Sequence, residues 1–97
     1  GPKRSQMNEF RNFKVTFGIM PAYGSAKIGL EIDMISKEDG PAAKAGIKEG
    51  DVIKFIDGKP IRNIYEYMDR LDGIKPGMTI PVIIERKNQK KTIKVTF

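Results

Sequence analysis

Ninety-seven residues, 39% apolar and 31% charged, give one domain with a modest core, and the composition is neither disordered nor membranous. No run approaches the roughly 18 apolar residues a spanning helix needs. With no Cys there is no disulfide or thiolate metal site, and with no His the commonest general base and zinc ligand is missing. The formal charge of +6 sits at the ends. Lys3, Arg4, Arg11 and Lys14 against Glu9 give +3 over residues 1–14. Arg86, Lys87, Lys90, Lys91 and Lys94 against Glu85 give +4 over residues 85–97, and the remainder sums to −1. Apart from Phe10, Phe13 and Phe97, neither end interleaves aromatics with the cations, so a solubilising, edge-protecting role is expected rather than nucleic-acid binding.

Residues 1–11 read as a disordered tail or expression remnant, and residues 12–97 as the folded domain. Phe13–Phe17 alternates as a half-buried strand, Gly18 interrupts it, and Ile19-Met20 resumes it before Pro21. A loop over Tyr23–Lys27 leads to a second strand, with Leu30, Ile32 and Met34 expected on one core face. Asp39-Gly40-Pro41 starts a turn into a short helix, Pro41–Ala45, which Gly46 ends in the left-handed conformation. Val52, Ile53, Phe55 and Ile56 form an apolar strand closed by an Asp57-Gly58 turn. Asn63 caps a helix with Glu66 at its third position, and Ile64, Met68 and Leu71 make one helical stripe ended by Gly73. Thr79–Glu85 and Thr92–Phe97 are strands joined by a lysine-rich turn over residues 87–91. The pattern predicts an α+β fold: a partly open antiparallel barrel of five or six strands with two helices.

Catalytic groupings are weak. Ser5, Ser25 and Ser36 have no His, and nothing marks Lys27 or Lys37 as a buried activating amine. Asp33, Asp51 and Asp57 lack metal-loop spacing, and Gly50-Asp51 and Asp57-Gly58 read better as turns. No enzyme activity and no cofactor or metal is expected of this chain.

The run Gly40-Pro41-Ala42-Ala43-Lys44-Ala45-Gly46-Ile47-Lys48-Glu49-Gly50-Asp51-Val52-Ile53, followed by Ile56-Asp57-Gly58-Lys59-Pro60-Ile61, resembles the PDZ-domain signature. Ile74-Lys75-Pro76-Gly77 before Thr79-Ile80-Pro81-Val82 is similar to PDZ domains of HtrA-family envelope proteases. Phe17-Gly18-Ile19-Met20-Pro21 and Tyr67–Leu71 resemble PDZ domains of bacterial zinc aminopeptidases. The resemblance implies a non-catalytic module of a bacterial protease that binds peptide or protein C-termini by strand addition, or contacts the catalytic domain of its own chain. It also implies a bacterial envelope or periplasmic location. A monomer in isolation is expected, with no membrane insertion. A structural or regulatory interdomain element with a degenerate groove is the alternative.

On that resemblance, backbone amides of Phe17, Gly18 and Ile19 hold the peptide carboxylate. Without it, Gly18 reads equally well as a bulge in a bent strand. The resemblance also implies a groove and side-chain pocket made by Phe17, Ile19, Met20, Pro21, Ile64, Met68 and Leu71, although Met68 and Leu71 also suit a plain core role. An adaptable Met predicts tolerance among Val, Leu, Ile, Ala and Phe at the last peptide position. Ile64 occupies the place where many PDZ domains carry a His that selects a hydroxyl, so that selection should be absent. Pro21 cannot donate a backbone hydrogen bond to the peptide, which leaves two readings: a short, weak grip, or a protected edge used by neighbouring domains.

Overall fold

The apolar runs become six strands and two helices in a computed structural model that describes residues 16–22 and 27–97. In chain order these are β1 (Ile19–Pro21), β2 (Leu30–Ile35), α1 (Pro41–Ala45), β3 (Val52–Ile56), β4 (Lys59–Pro60), α2 (Ile64–Asp72), β5 (Thr79–Arg86) and β6 (Gln89–Thr96). All pairings are antiparallel in the order β1-β2-β3-β5-β6, with β4 attached to β3. The second strand is divided: Leu30 and Glu31 pair with β3, while Ile32, Met34 and Ile35 pair with β1. This is the expected α+β, partly open arrangement. The strand expected over Phe13–Phe17 lies mostly outside the described residues, and its described end, Thr16-Phe17, is not strand.

One core holds the elements together. Phe17, Ile32, Ile53, Ile56, Ile61, Val82, Ile84 and Val95 are buried at its centre. Each such side chain contributes roughly 1.5–3 kcal/mol on leaving water. Ala42 is buried too, since a helix of small side chains can lie close against the fold. Gly46 closes α1 at φ 94°, as expected of a left-handed cap. Asn63 caps α2 by accepting from the Glu66 N–H at 3.0 Å.

Two hairpins turn on two residues each. Asp57 and Gly58 have φ of 53° and 79°, and Lys87 and Asn88 have 53° and 64°, which are type I′ signs. The second turn is therefore shorter than the expected lysine-rich one: β6 begins at Gln89, and Lys90 and Lys91 are strand residues.

The core face of β2 also departs from strict alternation. Met20 pairs with Met34, but the next residue, Pro21, pairs with Ile32, so Asp33 is an extra residue in β2. A bulge of one residue exchanges the faces beyond it. Leu30 and Ile32 accordingly face the core, Met34 is 42% exposed, and Ile35 packs on the core in its place.

Candidate functional site

The Thr16-Phe17-Gly18-Ile19 segment is held by its carbonyls. The Ala42 N–H donates to the Phe17 carbonyl at 3.1 Å. The Ser36 and Lys37 N–H groups donate to the Gly18 carbonyl at 2.9 and 3.2 Å. In a trans peptide the C=O and the following N–H point in opposite directions. Anchoring these two carbonyls therefore aims the Gly18 and Ile19 N–H groups away from α1 and from the 36–37 turn. Gly18 has φ +77°, and a Cβ there would stand 3.0 Å from Lys37 Cβ and 3.6 Å from Gly40 Cα. Both the backbone angle and the close approach require glycine. The Gly18 N–H donates to Thr16 Oγ1 at 3.2 Å, at the long end of the usual range.

Backbone polarity along β1 follows from the same bonds. The Ser36 N–H to Gly18 carbonyl bond flanks the Ile19–Ile35 pair, and hydrogen-bonded and non-hydrogen-bonded pairs alternate in an antiparallel ladder. Ile19, opposite Ile35, is then a non-hydrogen-bonded position whose N–H and C=O face away from β2. β1 ends the sheet path, so this is its free edge among the described residues. Beyond the bulge, the Ala22 N–H donates to Glu31 O at 2.8 Å, which gives Pro21 the same outward phase as Ile19. There the ring nitrogen has no hydrogen to offer.

The helix α2 lies against this segment. The Tyr67 ring meets Phe17 edge-on at 5.6 Å between centroids, and Phe97 stacks with Phe17 at 5.1 Å. Phe17 and Leu71 are fully core residues. Ile19, Ile64 and Met68 are half-buried and pack against the same core, so these three present the accessible apolar surface. Met20, expected in the groove, directs its side chain to the outer face opposite Ile19, where it is 46% exposed beside Met34. Sequence reasoning missed Tyr67. It belongs to the α2 stripe as the i−4 neighbour of Leu71, and burial pushes its phenol pKa up because the charged form loses water.

Asp51 is the one buried charged residue among the described residues, 1% exposed. Arg86 Nε donates to its Oδ1 at 2.8 Å and Nη2 to its Oδ2 at 2.7 Å, while the Lys48 N–H donates to Oδ2 at 2.9 Å. Burial alone would raise the Asp51 carboxyl pKa. The hydrogen bonds from Arg86 and from the Lys48 N–H, with the charges of both side chains, outweigh it and hold the group below the usual carboxylate range. No group of three or more acidic residues suited to a metal occurs among the described residues. No described helix is long and apolar enough to cross a membrane.

A sequence profile for the PDZ domain matches residues 23–97. The chain belongs to the PDZ domain family. It is 41% identical over 69 residues to the serine endoprotease DegS of Escherichia coli (strain K12), covering 71% of this chain and 19% of that protein. To a probable periplasmic serine endoprotease, DegP-like, of Brucella suis biovar 1 (strain 1330) it is 37% identical over 83 residues, covering 86% and 16%. Among solved structures, an aminopeptidase N family protein from Idiomarina loihiensis matches with a TM-score of 0.75 at 25% identity, over 86% of this chain and 14% of that one. The HtrA3 PDZ domain bound to a phage-derived ligand, FGRWV, matches with a TM-score of 0.69 over 86% and 84%; at 18% identity this is a likeness of fold. The chain thus spans less than a fifth of the length of the curated relatives it matches.

Proposed function

We propose that this domain is a non-catalytic module that binds the free C-terminal end of a polypeptide along β1, within a bacterial envelope protease of the HtrA type. The observation that carries the reading is the pair of anchored carbonyls, Phe17 and Gly18, which leave the Gly18 and Ile19 N–H groups turned outward beside an unpaired strand edge. A carboxylate accepts charge-assisted bonds from such amides, and it is a stronger acceptor than the Thr16 hydroxyl it would displace. Ile19, Ile64 and Met68 offer the last peptide side chain an apolar seat, worth roughly 1.5–3 kcal/mol for a Val or Leu. The Val-ended ligand of HtrA3 supports that preference. The periplasmic location rests on the relatives' description.

Pro21 limits the grip. Its missing N–H removes about 0.5–1.5 kcal/mol of hydrogen bonding at the third peptide residue, so binding is short and weak. The same proline, with a β1 of three residues, favours a second reading in which the edge serves as an interdomain contact.

Titration of an isotopically labelled domain with a Val-ended pentapeptide and its amidated form separates the two. Shifts at the Gly18 and Ile19 amides that disappear on amidation are expected; equal shifts with both peptides would discard the carboxylate site, and none at all would leave the interdomain reading. Gly18→Ala, with the φ and the 3.0 Å approach both against it, is expected to weaken peptide binding at least tenfold while the β5–β6 amide shifts stay in place.

A further inference from the structure

We propose that the cleft between the 48–51 loop and the β5–β6 hairpin is a second binding site, for an acidic segment of polypeptide. The cleft measures about 610 Å³ and is lined by Lys48, Glu49, Arg86, Lys87 and Lys91 among others. Its floor is rigid. Asp51 and Arg86 neutralise each other through two hydrogen bonds, and Arg86 Nη2 also donates to the Gly46 carbonyl at 3.0 Å, tying the hairpin to the end of α1. The register sets Lys91 opposite the buried Ile84, on the inner face of the hairpin, whereas Lys90 and Lys94 fall on the outer face.

Local charge is uneven in a way the sequence does not show. Lys27 and Lys54, near the same end, are matched by Glu31 and Glu85 at 3.5 Å. Lys48, Lys87 and Lys91 form no ion pair within 4 Å among the described residues, although the Lys48 charge also acts on Asp51, so three ammonium groups line a cleft whose one acid outside the Asp51–Arg86 pair is Glu49. Like charges gathered around a concavity raise the local concentration of anions. Discrete carboxylates fit better than a nucleic-acid strand. Among the described residues no aromatic ring lines the cleft to stack a base, and Glu49 would repel a continuous row of phosphates but can be bypassed by spaced side chains. The site is independent of the β1 edge and uses no free C-terminus.

The test is titration of the labelled domain with a C-terminally amidated Glu/Asp hexapeptide, which cannot use a carboxylate nest. Shifts are expected at Lys48, Gly50, Lys87 and Lys91, with Gly18 and Ile19 unmoved, and with affinity weakening at least about threefold as salt rises from ~50 to ~300 mM. Lys48→Glu with Lys91→Glu is expected to lower affinity at least tenfold. Lys87→Asn, which keeps a residue suited to positive φ in the turn, should lower it about threefold, and Lys59→Glu on β4 should leave it unchanged. Absence of shifts, an equal loss in Lys59→Glu, or tighter binding of a single-stranded oligonucleotide at the same amides would each overturn the proposal.

Discussion

Asp51 shows how much one side chain depends on a distant partner. Arg86→Ala would leave the buried carboxylate only the Lys48 N–H bond and the Lys48 charge, at a cost of at most about 3–5 kcal/mol at neutral pH, read as a lower urea midpoint. The pH dependence supplies the sign. In the native protein the depressed pKa contributes stability above the unfolded value near ~3.9, lost as pH falls through the folded value. In Arg86→Ala the Arg86 hydrogen bonds and charge that lower that pKa are gone, so it rises from its native position and the gap between variant and parent should narrow on acidification. Nothing local in Gly50-Asp51-Val52 announces this pair, because its two members lie 35 positions apart and meet only once β3 and β5 align. Spacing alone places Asp51 at a turn, where its Oδ2 accepts from the Lys48 N–H, and says nothing of its charge partner. At Gly18, by contrast, the special residue was legible; the carbonyl anchors that orient its neighbours were not.

Among the elements, caps and turns were the easiest to read, since their chemistry is contained in three or four consecutive residues. Asn63 and Glu66 fold as expected, with one difference: Glu66 Oε1 accepts from the Arg62 N–H at 2.8 Å, one residue before the cap, and its carboxylate also meets the Arg62 guanidinium. Asn63→Ala should cost about 0.5–2 kcal/mol and speed hydrogen exchange in the first turn of α2. The β2 bulge was illegible because regular alternation fits Leu30–Ile35 equally well; only pairing with both neighbours reveals Asp33 as surplus. Deleting Asp33 removes only the surplus residue, so Ile32, Met34 and Ile35 should alternate regularly opposite Pro21, Met20 and Ile19 with Ile35 still on the core, at a cost within the roughly 0.5–3 kcal/mol of an ordinary mutation. Asp33→Ala, which keeps the residue count, should stay within about 0.5 kcal/mol of the parent. Comparing the two denaturation midpoints separates spacing from side chain.

For the whole molecule, the pattern of strand and helix segments and the PDZ signature predict the observed α+β architecture, while placement of the lysines depends on register. Lys90, Lys91 and Lys94 look equivalent in sequence, yet β5 sends the middle one to the opposite face from the other two. The aromatic stack of Phe17 and Phe97 joins elements from the two ends of the described chain. Phe97→Ala should cost about 1.5–3 kcal/mol and also loosen peptide binding, checked by melting temperature and by the Gly18 and Ile19 amide shifts.

That stack has a practical consequence for anyone attaching cargo. A fluorophore, a tag or a fusion partner joined just after Phe97 departs from beside the β1 loop and would crowd its approach. The same cargo grafted at the Lys87-Asn88 tip would sit at the other end of β6, clear of that loop.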